Sequence, residues 1–381
     1  MGKTMKPSKN NYTPLIILVL LAALVGMSWL YVGERSRDHS RSEQQKSSSG
    51  QQVFHWKLVT TWPKNFPGLG TAPEKFANIV NAMSQGRLLI KVYGAGELVP
   101  AMGVFDAVSA GSAQAGHGAA YYWKGKLASS IFFTAVPFGM TAQEMNGWLY
   151  HGGGIELWRE AYAPFNIIPM AGGNTGVQMA GWFNKEINSI EDVKGLKMRI
   201  PGSGGEVWDR LGGSAVTLPG GELYTSLQTG VIDATEWVAP SNDMAFGFHE
   251  VAKYYYYPGW HEPGSTLELI INKDAFEALP KDLQTIVEAA ARYANADMLD
   301  EYTARNNTAL KELVGKHKVQ LRKLPDDVLR ELHRVSDTYL LELSKTDELT
   351  GRVYQSWKQF MEDAKEYHHI SEQAYINARD L

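Results

Sequence analysis

The sequence of 381 residues contains no cysteine. This absence excludes disulfide bonds, thiolate zinc sites, iron–sulfur ligation, cysteine nucleophiles and a lipid-modified N-terminal cysteine. The formal net charge is also small, −4 at pH 7, and no basic stripe occurs outside the first residues and the linker that follows them. We therefore expect no nucleic-acid partner, because binding to phosphates requires concentrated positive charge.

The signatures of common nucleotide and enzyme sites are missing as well. The glycine-rich stretch RIPGSGGEVW (199–208) lacks the third glycine of a dinucleotide fingerprint, because Val207 stands in its place, and it has no Walker lysine. No G-x-S-x-G elbow occurs. Neither His249 nor His261 is followed by the second histidine of a zinc-protease helix. No motif in the sequence therefore requires catalysis.

The N-terminal region carries three lysines and then an uncharged apolar run that is long enough to cross a membrane. We predict a basic cytoplasmic segment over 1–12, a signal or signal-anchor helix over 13–33 and a flexible, Ser-rich tether over 34–52. No small-x-small cleavage site follows the apolar run closely, which favours an uncleaved anchor over a cleaved signal peptide.

From residue 53 the chain alternates short apolar runs with helical patterns, which is typical of an α/β protein. The length of this part exceeds one typical core and predicts two packed domains. After Pro280 a segment without glycine or proline extends to Gly315. This segment predicts one long helix, or two.

A weak internal echo indicates that the two domains resemble each other. The stretches VFDAVSAGSAQAGHG (104–118) and LYTSLQTGVIDATEW (223–237) each predict a helix that ends at a glycine, Gly111 or Gly230, before a short strand. Chance recurrence of this pattern is the alternative explanation. If the echo is structural, each domain presents the carboxyl end of a strand, where open α/β sheets bind ligands.

Four polar residues stand on short segments in otherwise apolar surroundings: Gln178, Arg199, Glu236 and Glu262. Taken singly, each is open to a solvated or salt-bridged role. A buried carboxylate is costly, however, unless it is paired or well hydrogen-bonded. Two carboxylates and an amide oxygen suit a hard cation, and an arginine offers a planar fork to a carboxylate. Together they predict a small anionic chelator as the ligand.

The sequence from about Phe54 to Ser371 closely resembles the extracytoplasmic solute receptors of tripartite ATP-independent periplasmic (TRAP) transporters. More narrowly, it resembles the branch of that family that binds monocarboxylate 2-oxo acids with a cation. The segments that carry the resemblance, in order and spacing, are WKLVTTWPKNFPGLGTAPEKFA, VPFGMTAQEMNGWLYHGGG, MAGGNTGVQMAGWFNKEI, DVKGLKMRIPGSGGEVWDRLG, LPGGELYTSLQTGVIDATEWVAPSNDM and YYYYPGWHEP.

The resemblance implies an α/β fold of two lobes over 53–381, with the ligand cleft between the lobes, a long spanning helix and a helical C-terminus. We expect lobe I to comprise about 53–172 with part of 265–320. Lobe II would comprise about 173–264 together with the C-terminal helices.

The resemblance also implies a ligand site. Arg199 would grip the carboxylate of the substrate. A sodium or calcium ion would be held by Gln178, Glu236, the main-chain carbonyl of Trp237 and Glu262, with Gln178 and Trp237 also near the substrate. Because adjacent strand residues face opposite ways, at most one tyrosine of the YYW segment is expected in the cleft, and we favour Tyr122.

The resemblance further implies a periplasmic, non-enzymatic receptor that delivers its ligand to permease subunits in the inner membrane. The N-terminus departs from that family, most of whose members are released by a cleaved signal, because here the N-terminal segment is expected to tether the receptor to the membrane. The helical C-terminal part would either pack across the lobes or support a homodimer. The alternatives are a membrane-tethered sensor ectodomain for organic acids, a secreted α/β enzyme, and a TRAP receptor for a hydroxy acid or a larger carboxylate.

Overall fold

The computed structural model describes residues 26–29, 52–379 and 381. The predicted basic segment, most of the apolar run and nearly all of the tether lie outside the described residues. Within the described part, no helix combines the length and the apolar character that crossing a membrane requires. The residues from Phe54 to Leu381 form one compact unit.

Two mixed β-sheets organise this unit. The strands are β1 (Phe54–Thr60), β2 (Leu88–Tyr93), β3 (Ala115–Gly118), β4 (Ile167–Asn174), β5 (Gly181–Phe183), β6 (Lys197–Arg199), β7 (Ser214–Val216), β8 (Ala234–Thr235), β9 (Tyr254–Tyr257), β10 (Thr266–Asn272) and β11 (Gln320–Lys323). The first sheet has the order β2-β1-β3-β10-β4, and the second has the order β11-β9-β5-β8-β6-β7. Each sheet forms the centre of one lobe.

Helices cover the sheets. The α-helices are α1 (Thr71–Met83), α2 (Val104–Ser109), α3 (Ala142–His151), α4 (Gly154–Tyr162), α5 (Gly202–Arg210), α6 (Leu223–Gln228), α7 (Pro240–Ala245), α8 (Phe248–Val251), α9 (Lys273–Glu277), α10 (Lys281–Gly315), α11 (Asp326–Leu343), α12 (Glu348–Ile370) and α13 (Glu372–Arg379). Short 3₁₀ helices cover Ala101–Gly103, Ala120–Trp123, Ala128–Phe133, Ala163–Phe165, Ile190–Val193 and Gly220–Glu222.

The segment after Pro280 forms one helix, α10, of 35 residues. Proline is suited to the position before the first helical turn, and the acidic Asp282 in that turn favours the positive end of the helix dipole. The helix packs against β4 and α1 of the first lobe and against α7 of the second. It therefore braces both lobes.

The chain also crosses between the lobes at 175–180, from β4 to β5, and at 258–265, from β9 to β10. These two crossings run side by side, because the N–H of Thr175 donates to the carbonyl of Ser265 at 3.0 Å and that of Gln178 donates to the carbonyl of Glu262 at 3.1 Å. We call this pair of segments the hinge.

The internal echo is present in the structure. Helix α2, Gly111 and β3 in the first lobe correspond to α6, Gly230 and β8 in the second. Both glycines have a φ angle of +73°, in the left-handed region that residues with a Cβ atom rarely adopt. β3 and β8 each lie between a parallel strand and an antiparallel strand. The two lobes are thus built on the same unit.

The residue before each of these strands makes the same contact. The side-chain Oε1 of Gln114 accepts a hydrogen bond from the N–H of Lys57 at 2.9 Å. The side-chain Oδ2 of Asp233 accepts one from the N–H of Lys197 at 3.0 Å. This equivalence fixes the register, so that His117 in β3 corresponds to Glu236, the residue directly after β8.

The last long helices divide between the lobes. Helix α11 packs against α5 of the second lobe, as expected, but α12 packs against α3, α4 and the 3₁₀ helix Ala128–Phe133 of the first lobe. The contact is made by buried aromatic groups, since the ring of Trp357 lies 5.7 Å from that of Phe132. Helix α12 therefore belongs with lobe I and not with lobe II, to which the sequence analysis assigned the C-terminal helices.

We predict that Gly111→Ala and Gly230→Ala each lower the free energy of unfolding by about 1 kcal/mol, because alanine is strained at a positive φ. Steric conflict contributes little, since an added Cβ would meet nothing within 4 Å at Gly230 and only Asn272 Nδ2 at 3.7 Å at Gly111. Urea denaturation without ligand measures the effect. Gly125→Ala is the control, because Gly125 has open space and no left-handed φ. Equal stability of all three variants would contradict the prediction.

Candidate functional site

A cavity lies between the two sheets, at the ends of strands from both lobes. Its lining residues are Trp62, Leu69, Tyr121, Tyr122, Thr175, Gln178, Arg199, Trp237, Val238, Glu262 and Leu267. Its volume is ≈ 10 Å³, about the space that one buried water molecule needs. The set includes five of the residues predicted from the sequence, and the sixth, Glu236, lies behind the wall in contact with Arg199.

Arg199 is the last residue of β6 and only 1% exposed. Its Nε donates to the carbonyl of Leu218 at 3.2 Å, and its Nη1 donates to the carbonyl of Glu236 at 3.2 Å. Nη1 also forms an ion pair with the Glu236 carboxylate. In the part of the chain that the structure describes, Nη2 has no partner. The two N–H groups of Nη2 are therefore left over for a ligand, on a guanidinium whose other nitrogens are held.

Glu236 follows β8, next to the end of β6, because its N–H donates to the carbonyl of Arg199 at 3.2 Å. Its side chain is 1% exposed. One carboxylate oxygen pairs with Arg199, and the other lies 3.4 Å from Nε2 of His261. This pairing compensates the desolvation of a charge that the apolar run around Glu236 would not otherwise tolerate.

Gln178 and Glu262 face each other across the hinge. Nε2 of Gln178 donates to Oε2 of Glu262 at 2.7 Å, and the hydroxyl of Ser265 donates to the same oxygen at 2.5 Å. Burial, and next the negative charge of Glu236, raise the pKa of Glu262 to about 7. Oε1 of Gln178 is buried and has no partner among the described residues.

These residues fit a hard cation. Ligand atoms of Glu236, His261 and Glu262 lie within 4.8 Å of one another, and all three residues are buried. Within residues 52–379 the side-chain oxygen of Gln178 has no hydrogen-bond partner, and two carboxylates lie near the guanidinium of Arg199. Carboxylate and amide oxygens are the donors that sodium and calcium prefer. Among the described hydrogen bonds, none goes to the main-chain carbonyl of Trp237, the fourth predicted ligand.

His261 was not among the residues predicted from the sequence. It is 1% exposed, and its Nδ1 has no partner within the described residues. The available signal was the aromatic stretch that ends in WHEPG, because it places a histidine directly before the predicted metal ligand Glu262. The search for a zinc-protease motif tested only the spacing to a second histidine and therefore missed it.

The YYW segment corrects one expectation. Both Tyr122 and Tyr121 line the cavity, whereas at most one of them was expected there. The segment is a 3₁₀ helix (Ala120–Trp123) and not a strand, so adjacent side chains need not face opposite ways. Burial raises the pKa of Tyr122 to about 12, which keeps its hydroxyl neutral.

Each lobe also contains a buried carboxyl group that accepts hydrogen bonds from a tryptophan and a tyrosine. In the first lobe, Glu268 accepts from the indole of Trp123 at 2.5 Å and from the hydroxyl of Tyr162 at 2.8 Å. In the second, Asp243 accepts from the N–H of Val238 at 3.2 Å, and it also binds a tryptophan and a tyrosine. Burial raises the pKa of both carboxyl groups to about 7.

The family model "Bacterial extracellular solute-binding protein, family 7", named DctP, matches residues 58–346. The chain belongs to the DctP family. A monocarboxylate 2-oxoacid-binding periplasmic protein of a Nostoc species is 42% identical to this DctP-family protein over 322 residues, which are 84% of this chain and 88% of the relative.

Two solved structures share its fold. A TRAP periplasmic solute-binding protein of Pseudoalteromonas atlantica, with bound sodium and pyruvate, is 45% identical, with a TM-score of 0.84 and coverage of 86% of this chain and 99% of that one. One of Colwellia psychrerythraea, with bound calcium and pyruvate, is 44% identical, with a TM-score of 0.84 and coverage of 86% and 100%. The predicted family and fold are confirmed: this DctP-family chain is a periplasmic TRAP solute-binding protein, and its family consists of transport receptors.

We predict that Glu262→Gln stabilises the ligand-free protein at neutral and alkaline pH. The pKa of Glu262 is about 7 when folded against an ordinary 4.5. Its stabilising contribution is therefore full below pH 4.5 and is lost as the pH rises through about 7. The amide of the variant does not ionise and carries no such loss, so the variant should gain about 3 kcal/mol over the wild type by pH 8.

Urea denaturation from pH 4.5 to 8, with a metal chelator present, measures this difference. Glu277→Gln is the control, because its side chain is 60% exposed and should show no comparable pH dependence. A stability difference between Glu262→Gln and the wild type that does not change with pH would contradict the prediction.

Proposed function

We propose that this DctP-family protein captures a small 2-oxo monocarboxylate of the pyruvate type, together with a sodium or calcium ion, and delivers it to a TRAP permease. The observation that carries the proposal is a pair of unpartnered buried atoms on two residues that line one cavity. Among the described residues, they are the donor Nη2 of Arg199 and the acceptor Oε1 of Gln178. An unsatisfied donor and an unsatisfied acceptor call for an anion and a cation, respectively.

Arg199 would bind the carboxylate of the substrate. Its other nitrogens are already held by Leu218 and Glu236, so little side-chain entropy is lost when the ligand binds. Arg199 is only 1% exposed, and a charge-assisted hydrogen bond is stronger at such a buried position than in solvent.

Gln178, Glu236, the carbonyl of Trp237 and Glu262 would hold the cation, with His261 beside them. When bound, the ion supplies a hard Lewis acid for the carboxylate and 2-oxo oxygens of the substrate. Two ionised glutamates and a monoanionic substrate carry three negative charges, and Arg199 carries one positive charge. The site therefore has an excess of two negative charges. Calcium would balance this excess and sodium would halve it, so we expect calcium to bind more tightly.

The two relatives with bound pyruvate support a small acid. The lobes also touch on both sides of the cavity, where Lys124 pairs with Glu206 at 2.6 Å and the ring of Phe66 stacks on that of Phe246 at 4.3 Å. A permease that recognises this closed form would select the loaded receptor. No turnover of the ligand is proposed.

We further propose that segment 13–33, most of which lies outside the described residues, tethers the receptor to the inner membrane and raises its effective concentration at the permease. A homodimer through the C-terminal helices is proposed because Tyr367, Ile370 and Tyr375 are 65%, 77% and 66% exposed. Sedimentation analysis of the ectodomain should then show a dimer that is weakened in a chain ending after α12, which lacks Tyr375. A monomer in both cases would overturn the homodimer.

The central experiment is calorimetric titration of the chelator-treated ectodomain with pyruvate, 2-oxobutyrate and lactate, each with calcium, with sodium or with a chelator. We expect tight binding of pyruvate that requires a cation, is strongest with calcium, and returns the ligand unchanged. Cation-independent binding, a preference for lactate or chemical conversion of the ligand would each contradict the proposal.

Arg199→Lys tests the carboxylate contact. Lysine keeps a positive charge beside Glu236 but cannot present the second, planar N–H donor. We expect about 2 kcal/mol, or about thirtyfold, weaker binding of pyruvate. The control is Arg210→Lys, at the end of α5, which pairs with Glu342 at 2.7 Å outside the cavity. Unchanged affinity in Arg199→Lys would remove Arg199 from the site.

A further inference from the structure

Trp62 closes the first-lobe side of the cavity. It follows β1, lines the cavity and is 3% exposed. Its ring meets that of Trp237 from the second lobe edge-on, at 6.0 Å and 82°, and lies 6.0 Å from the ring of Tyr122. The indole therefore stands as a wall across the cavity, opposite the charged second-lobe residues.

A buried histidine holds this wall in place. The indole Nε1 of Trp62 donates to Nδ1 of His117 at 2.8 Å, and Nε2 of His117 lies 3.1 Å from the carbonyl of Gly172. Because a carbonyl only accepts, Nε2 carries the hydrogen and Nδ1 is free to accept. His117 is 0% exposed, and burial lowers its pKa to about 4. The ring is therefore neutral, in a single tautomer, at ordinary pH.

The internal repeat shows what this strand end does in each lobe. Aligned on Gly111 and Gly230, His117 occupies the position of Glu236. The second lobe uses that position for a charged group in the site, whereas the first lobe uses it to fix an apolar wall. The other first-lobe residues around the cavity include Leu69 and Leu267, so the wall faces the part of a ligand that carries no charge.

We propose that Trp62, positioned by His117, sets the upper limit on the length of the ligand's side chain. This inference rests on the proposed function, since it concerns which 2-oxo acids the same site accepts. An indole that is hydrogen-bonded at its Nε1 and packed against Trp237 cannot turn aside for a longer chain. Small acids fit beneath it, and longer acids prevent closure.

The test is calorimetric titration with pyruvate, 2-oxobutyrate, 2-oxopentanoate and 2-oxohexanoate in excess calcium. Trp62→Leu should raise the affinity for 2-oxohexanoate relative to pyruvate by about tenfold or more, as expected for added space in an apolar pocket. Trp357→Leu is the control, because Trp357 is equally buried at 3% and lies away from the cavity. In Trp357→Leu, the ratio of the affinities for 2-oxohexanoate and pyruvate should equal that of the wild type.

His117 is tested as a positioning residue. His117→Leu leaves the indole without its acceptor and should shift the ratio in the same direction, by less than Trp62→Leu. His117→Gln should restore the wild-type ratio, because an amide offers one acceptor and one donor in a single side chain. A purely structural role would lower the stability of both variants without moving the ratio.

An unchanged ratio in Trp62→Leu, with pyruvate still bound, would overturn this inference and leave the proposed function intact. Absence of binding of any 2-oxo acid by the wild type would overturn both. Should Trp62→Leu not fold, Trp62→Phe, which keeps an aromatic ring but cannot donate to His117, takes its place with the same expected direction of change.

Discussion

The site depends on the buried ion pair between Arg199 and Glu236. Two charges removed from water are tolerated only when their remaining hydrogen-bonding capacity is used. Main-chain carbonyls take two of the arginine donors, and His261 approaches the free glutamate oxygen at 3.4 Å. Nη2 is not satisfied by the described protein atoms. The pair therefore orients an arginine whose Nη2 is left for a ligand.

The second constraint on the site is that two of its side chains lie on the hinge. Gln178 and Glu262 lie on the two segments that carry the chain between the lobes, joined by main-chain hydrogen bonds as well as by their side chains. If a cation binds, a rearrangement of these side chains around it would therefore displace the two hinge segments about which the lobes would move. Cation coordination would then be coupled directly to lobe closure, without a longer network of contacts.

Gln178, Arg199, Glu236 and Glu262 could be singled out from the sequence because they are polar residues on short segments in apolar surroundings. Their proposed roles and the inclusion of Trp237 came from the family resemblance. Arg199 and Glu236 follow apolar runs, and the repeated helix, glycine and strand proved to be a repeated structure. Contacts made across the fold escaped prediction. The role of Trp62 depends on His117 and on the opposite lobe, and Tyr121 enters the cavity because its segment turns as a 3₁₀ helix. Helix α12 was assigned to the wrong lobe because the resemblance gave only approximate lobe boundaries, whereas the position of the helix is set by contacts such as that of Trp357 with Phe132.

The proposed roles of His117 in β3 and of Glu236 after β8 differ, and this difference predicts that binding precedes selection by size. The charged groups belong to the second lobe and the hinge, whereas the first lobe contributes shape. An open receptor would already offer its full set of charges, so acids of many lengths could be held briefly on one half of the cleft. Acids of different length would be distinguished when the lobes close. An acid that is too long would be released from the open receptor, which the permease does not recognise.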